Sequence, residues 1–141
     1  MSVVFHALQP VVLKNRRSLK LFIRQLFERE GKSLQSLGII FCSDEYLLDI
    51  NNKHLQHNYY TDIITFDLSD PNSTQITAEL YISVDRVKDN SFSLQTKFST
   101  ELVRVVFHGA LHLCGFKDKK PTDIKQMRQK EDEYLDLYLK G

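Results

Sequence analysis

His108 and His112 stand four residues apart in the run His108-Gly109-Ala110-Leu111-His112-Leu113-Cys114-Gly115-Phe116-Lys117-Asp118. On a helix that spacing places two imidazoles one turn apart on the same face. Gly115 is the residue type that stops helices in the left-handed backbone region, after which the chain can fold back and deliver Asp118. Two imidazoles and a carboxylate make a three-ligand cation site with an open coordination position, the arrangement of catalytic rather than structural zinc. A cation held in this way can orient and activate water. A His pair at this spacing is by itself often a coincidence of surface or core edge. Gly115, Asp118 and the apolar character of the rest of the helix make the metal site the stronger reading. Cys114, two residues past His112, falls on another side of the helix and is a poor ligand.

At about 100° per residue, Leu102, Val103, Val106, Phe107, Ala110, Leu113 and Cys114 share one broad face, and Glu101, Arg104, His108 and His112 line the opposite edge. The helix therefore reads as buried over most of its circumference, with a polar strip facing a cleft. Gly109 lies beside that strip; a mid-helix Gly costs about 1 kcal/mol relative to Ala, so a close neighbour is expected there. The spacing overlaps the metzincin pattern, in which a Glu follows the first His and serves as general base. That position is Gly109 here, so a peptidase would lack its proton acceptor. A non-haem iron oxygenase also uses two His and a carboxylate, but that class builds its triad on strands rather than on a helix.

The elements that must position this site follow from periodicity. Val3 to Phe5 is β-prone; Leu19, Phe22, Ile23, Leu26 and Phe27 recur at helical spacing, closed by Gly31. Leu37 to Phe41 reads as a buried strand, and Ser43 as the N-cap of a helix with Asp44 and Glu45 in its first turn, carrying Leu47, Leu48 and Asn51 out to Leu55. Ile63 to Phe66 and Leu80 to Val84 read as strands separated by a turn at Pro71-Asn72-Ser73. A short helix is expected after Ser83, the motif helix from a Thr100 cap to Cys114, and a last helix from Pro121-Thr122 with the stripe Ile124, Met127, Glu131, Tyr134, Leu135 and Tyr138. The expected fold is α+β: a small mixed sheet with about five helices and a zincin-like metal site on a central helix.

Composition narrows the class. The 141 residues, 42% hydrophobic and 26% charged, suit one globular domain spanning 1–141. No apolar run is long enough to span a bilayer, and the N-terminus lacks the basic and apolar regions of a secretory signal. Two cysteines, Cys42 and Cys114, both in apolar surroundings, read as buried thiols. The expected location is the cytoplasm. A net charge of +1 favours no particular partner. Two local basic clusters (Lys14, Arg16, Arg17, Lys20 and Arg24; Lys117, Lys119, Lys120 and Lys125) could meet phosphates, although solvated lysines are commoner.

Taken together, the motif resembles the YbeY family of bacterial rRNA maturation endoribonucleases, whose pattern H-G-x-L-H-L-x-G-Y/F-x-H is matched by HGALHLCGFKD. Tyr60 to Phe66 is similar to the family's P-T-D-V-L-S-F segment, and Ala78 to Ser83, more weakly, to its G-D-I-x-I-S strand. Glu101, seven residues before His108, is also in the family's place. The resemblance covers the chain from about Asn51 onward. It implies one bound zinc and metal-dependent cleavage of single-stranded RNA in rRNA processing and ribosome quality control, with rRNA and ribosomal components as partners and no membrane. The family's three zinc-binding histidines fall on His108, His112 and Asp118.

The last of these is a departure. Asp is a competent zinc ligand but lowers the charge of the centre by one, and two His with one carboxylate also accommodate iron(II) or manganese. A second departure is Leu55, where the family commonly has an Arg; His54, His57 or a basic cluster would have to replace it. His57 and Asp62 are the candidate substrate-binding residues, with an exposed helix end and a local Asx turn as their structural alternatives. The expected reaction is metal-assisted phosphodiester hydrolysis, with no general base assignable. The alternatives are a non-catalytic ribosome-assembly factor with a structural metal, and a metallopeptidase-like hydrolase.

Overall fold

The computed structural model describes residues 2–57 and 59–141. The chain runs β1 (Ser2–Ala7), α1 (Arg16–Arg29), β2 (Ser33–Cys42), α2 (Asp44–Leu55), β3 (Ile63–Asp67), β4 (Gln75–Ser83), α3 (Val84–Leu94), α4 (Phe98–Leu113) and α5 (Pro121–Lys140). The four strands form one mixed sheet in the order β1-β2-β4-β3. β1, β2 and β4 are parallel, and β3 runs antiparallel to β4 along one edge. The α+β expectation holds, and β2 and β4 are longer than their apolar runs. In β2, Leu34 and Leu37 are both buried although three residues apart; a bulge between Leu34 and Ser36 absorbs the odd residue. From Ile39 to Cys42 the strand is buried on both sides, which is why it reads as continuous apolar sequence.

One face of the sheet carries the main core. Val3, Leu37, Ile39, Phe41, Leu80 and Ile82 meet Leu19, Ile23, Leu26 and Phe27 of α1 and the apolar side of α4. α2 covers part of the other face through a smaller cluster of Cys42, Leu47 and Ile64. Ser43 and Ser83 cap α2 and α3 by accepting from the amides of Tyr46 (3.1 Å) and Arg86 (3.0 Å). Cys42 and Cys114 are free and buried, and burial pushes both thiols up to about 12, so neither offers a thiolate.

One boundary and one burial expectation are corrected. α4 begins at Phe98 rather than after Thr100, with Lys97 at the cap position and no side-chain cap; Thr100 lies inside its first turn. Thr96 Oγ1 instead donates to Glu101 Oε1 at 3.1 Å. Ile124, expected in the stripe of α5, is exposed: the buried positions of that helix begin one turn later, at Met127.

α4 lies unusually close to the sheet at Gly109. A Cβ added there would fall 2.7 Å from Ile63 Cδ1 and 2.9 Å from Leu80 Cδ1. This is the close neighbour that a mid-helix glycine implies, and it seats His108 and His112 beside β3. In Gly109→Ala the helix gains about 1 kcal/mol of propensity, but Leu80 is fully buried and cannot swing aside. Overpacking costs about 1–3 kcal/mol, so the variant is expected to lose about 1 kcal/mol net and melt roughly 3 °C lower, which calorimetry checks.

Candidate metal centre

The C-terminal end of α4 builds the site. Gly115 sits in the left-handed region at φ 106°. Its N–H donates to the His112 carbonyl at 3.0 Å, and the Phe116 N–H donates to the Leu111 carbonyl at 3.1 Å. These two bonds are the Schellman closure of a helix, and they turn the chain back over its own last turn. The reversal brings Asp118 Oδ2 to 3.2 Å from His108 Nε2 and 3.3 Å from His112 Nε2. The imidazole rings are nearly perpendicular, with centroids 4.7 Å apart at 81°.

One ligand atom from each of the three residues lies within 4.8 Å of the others. Bonds of about 2.0–2.2 Å at a tetrahedral angle would put ligand atoms roughly 3.3–3.5 Å apart, so both Asp118 separations match a shared cation. The donor set of two nitrogens and one carboxylate oxygen suits a borderline divalent metal. With side chains 23% and 28% exposed, the two histidines still reach solvent, so a cation held by the three residues would be accessible to water or substrate.

Behind His108 stands a residue that sequence reasoning placed only in an apolar stripe. Glu131 of α5 is buried, and its Oε2 lies 2.6 Å from His108 Nδ1. Its other oxygen accepts from Arg104 at 3.1 Å, and Arg104 donates to Asp132 at 2.7 Å. A carboxylate accepting from Nδ1–H sets the tautomer and leaves the Nε2 lone pair facing Asp118. Burial opposes the imidazolium of His108, but the hydrogen bond and charge of Glu131, followed by Asp118 and Asp62, outweigh it and raise the pKa above the ordinary histidine value. The signal available in the sequence was a charged residue at a position of α5 whose periodicity demanded burial. Glu131→Gln is expected to weaken the cluster's affinity for a divalent metal about 10–100-fold, read by chelator competition, while the helix content stays unchanged.

Asp62 lies just ahead of β3, where its backbone carbonyl accepts from the Ser83 amide at 2.9 Å. Burial raises its carboxyl above the usual range, and His108 pulls it partly back. With Asn51, His57, Tyr59, His112 and Lys119, it lines a cleft of about 590 Å³ that opens onto the cluster. His57 is in that cleft, stacked on Tyr59 at 5.1 Å and 21°. Its partner Tyr59 carried no sequence signal beyond being aromatic. His54 packs edge-on against Phe66 at 6.4 Å. Leu55 lines the cleft where the family commonly has its Arg, and Lys119 is the cation in the same wall.

The family model described as Endoribonuclease YbeY matches residues 11–138. The Endoribonuclease YbeY of Cytophaga hutchinsonii is 45% identical over 125 residues, covering 89% of this chain and 87% of that protein. The protein of the same name from Christiangramia forsetii is 43% identical over 127 residues, 90% of this chain and 87% of its own length. The solution structure of TM1509 from Thermotoga maritima superposes with a TM-score of 0.66 over 97% of this chain and 89% of that one; at 22% identity the likeness is one of fold. A match that runs from residue 11 to residue 138 takes in every helix and strand that builds the His-His-Asp cluster, and the chain belongs to the YbeY endoribonuclease family.

Proposed function

We propose that this endoribonuclease hydrolyses phosphodiester bonds of single-stranded RNA at a divalent cation, zinc in the first place, held by His108, His112 and Asp118. Its setting is rRNA maturation in the cytoplasm, with ribosomal components as partners. The observation that carries the reading is the pair of 3.2 and 3.3 Å separations from one Asp118 oxygen to two imidazole nitrogens. Among the described residues, no helix is long and apolar enough to cross a membrane.

When bound, the cation supplies a Lewis acid for a phosphoryl oxygen and lowers the pKa of water. The chain's own residues do the rest. Glu131 holds His108 in the tautomer that points Nε2 at the site. The stacked His57 and Tyr59 offer a flat aromatic surface for an unpaired base, the way single-stranded RNA is usually gripped. Lys119, next to Asp118 in the chain and in the same cleft, places an ammonium by the backbone phosphate. Asp62, which lines the cavities on both sides of the cluster with His108 and Asp118, accepts the proton of the attacking water in this reading. A peptidase role finds no support, because the position of its general-base Glu is Gly109, where even a methyl group meets Ile63 and Leu80.

The test is cleavage of a labelled single-stranded RNA alongside metal content. Full activity with about one metal per chain is expected, with cleavage lost on treatment with a chelator, regained on adding zinc, and absent on an RNA duplex. Cleavage that survives complete metal removal would sink the proposal.

A further inference from the structure

A second groove, of about 440 Å³, also meets the metal centre: Asp62, His108 and Asp118 line both it and the cleft described above. The rest of its wall comes from α3, α4 and α5. Its volume lies in the range of small-ligand pockets. Buried Val87, Val105 and Met127 line it together with Leu94 and Ile124, which are 55% and 51% exposed. Both exposed side chains present apolar surface to the groove.

Set among these apolar residues are a few polar groups. Glu101 is only 7% exposed, yet a single hydrogen bond reaches its carboxylate among the described residues, from Thr96 Oγ1 to Oε1. Arg104 Nε is buried without a partner in the same wall, and the Asn90 amide lies there too. Arg128 adds a guanidinium that is 58% exposed.

We infer that this groove holds the base of a nucleotide next to the bond being cut, and that Glu101 selects a base carrying an exocyclic amine. The inference rests on the proposed hydrolysis at the cation only for its location. Glu131 is tied to Arg104 and His108, and Asp62 and Asp118 are shared with the cleft, so the carboxylate that belongs to this groove alone and keeps a free oxygen is Glu101. Apolar walls with one such oxygen suit a neutral, flat, amine-bearing ring. Carboxylates accept from the amine of cytosine in direct base readout. Adenine and guanine also carry amines. Uracil has none, and its ring N–H lies between two carbonyl oxygens that a carboxylate repels. Arg128, in the groove wall, 58% exposed and 3.8 Å from Glu131 Oε1, then meets the phosphate of that nucleotide.

The test has two arms. In the first, the ends produced from a mixed-sequence single-stranded RNA are sequenced. Wild type is expected to disfavour uracil about five-fold or more at one fixed position beside the cut. Ile124→Asp, at an exposed position where folding is not at risk, and Glu101→Leu are expected to flatten that preference with metal content unchanged. A wild-type pattern blind to base at every flanking position, or a preference that survives in both variants, overturns the inference. In the second arm, CMP and UMP are titrated into the wild-type protein while the methyl resonances of Leu94 and Ile124 are followed by NMR. CMP is expected to shift them at lower concentration than UMP. Equal or absent shifts overturn the subsite whether or not the protein cuts RNA. Base-dependent methyl shifts without any cleavage count against the hydrolysis and leave the subsite standing.

Discussion

His112→Ala is expected to remain folded, to lose its bound metal, and to cleave single-stranded RNA about 10³-fold or more slowly. The prediction follows from where His112 sits. Its ring projects from the last turn of α4 towards solvent, whereas the core side of that helix is filled by Val106, Phe107, Ala110 and Leu111. Truncating the ring therefore removes a ligand and leaves the packing intact. His108 and Asp118 remain, and Asp118 reaches His108 through a loop closed by Gly115 rather than from a helix. A metal that merely stapled the fold would give the opposite result: the variant would unfold in the temperature range where wild type is stable. Thermal melting of wild type, chelated wild type and His112→Ala separates the two. Melting of all three at similar temperatures with cleavage lost only in the metal-free samples is the catalytic outcome, and a shared drop of the last two below wild type is the structural one. Asp118→His is the companion substitution. It restores the third imidazole of the family pattern, so it is expected to keep its metal, whereas Asp118→Ala is expected to lose it.

Much of this site was legible because its determinants are local. The spacing of His108, His112, Gly115 and Asp118 encodes one helix end and one chain reversal, and both bonds of that reversal lie between Leu111 and Phe116. Gly109 likewise announced a close approach, although only the fold identifies Ile63 and Leu80 as the neighbours. What sequence could not supply were contacts across the chain. Glu131 is 23 residues from His108, and its role depends on how α5 crosses α4. The sheet order is also non-local, since β4 inserts between β2 and β3. Ile124 failed for a related reason: periodicity predicts which face of a helix is apolar, but not where along its length the core stops.

Asp62→Asn is expected to lower the catalytic rate about 10²–10⁴-fold, the usual contribution of a positioned general base, with metal content and RNA affinity unchanged. Asp62 is held independently of its side chain, by the bond from the Ser83 amide to its backbone carbonyl. Asn can therefore occupy the same place and line the same two grooves. What it cannot do is accept a proton. The carboxyl is a fitting acceptor because burial raises it above an ordinary carboxylate, while the neighbouring His108 keeps it from rising further. The acceptor is the deprotonated form, so cleavage should fall as pH drops through its range and should be fully developed above it. A cation in the cluster pulls that range downward, by the same sign as His108. Single-turnover rates at saturating RNA, with metal content measured on the same samples, make the comparison. A rate equal to wild type in Asp62→Asn would remove Asp62 from the proton path and leave it as a wall of the cleft.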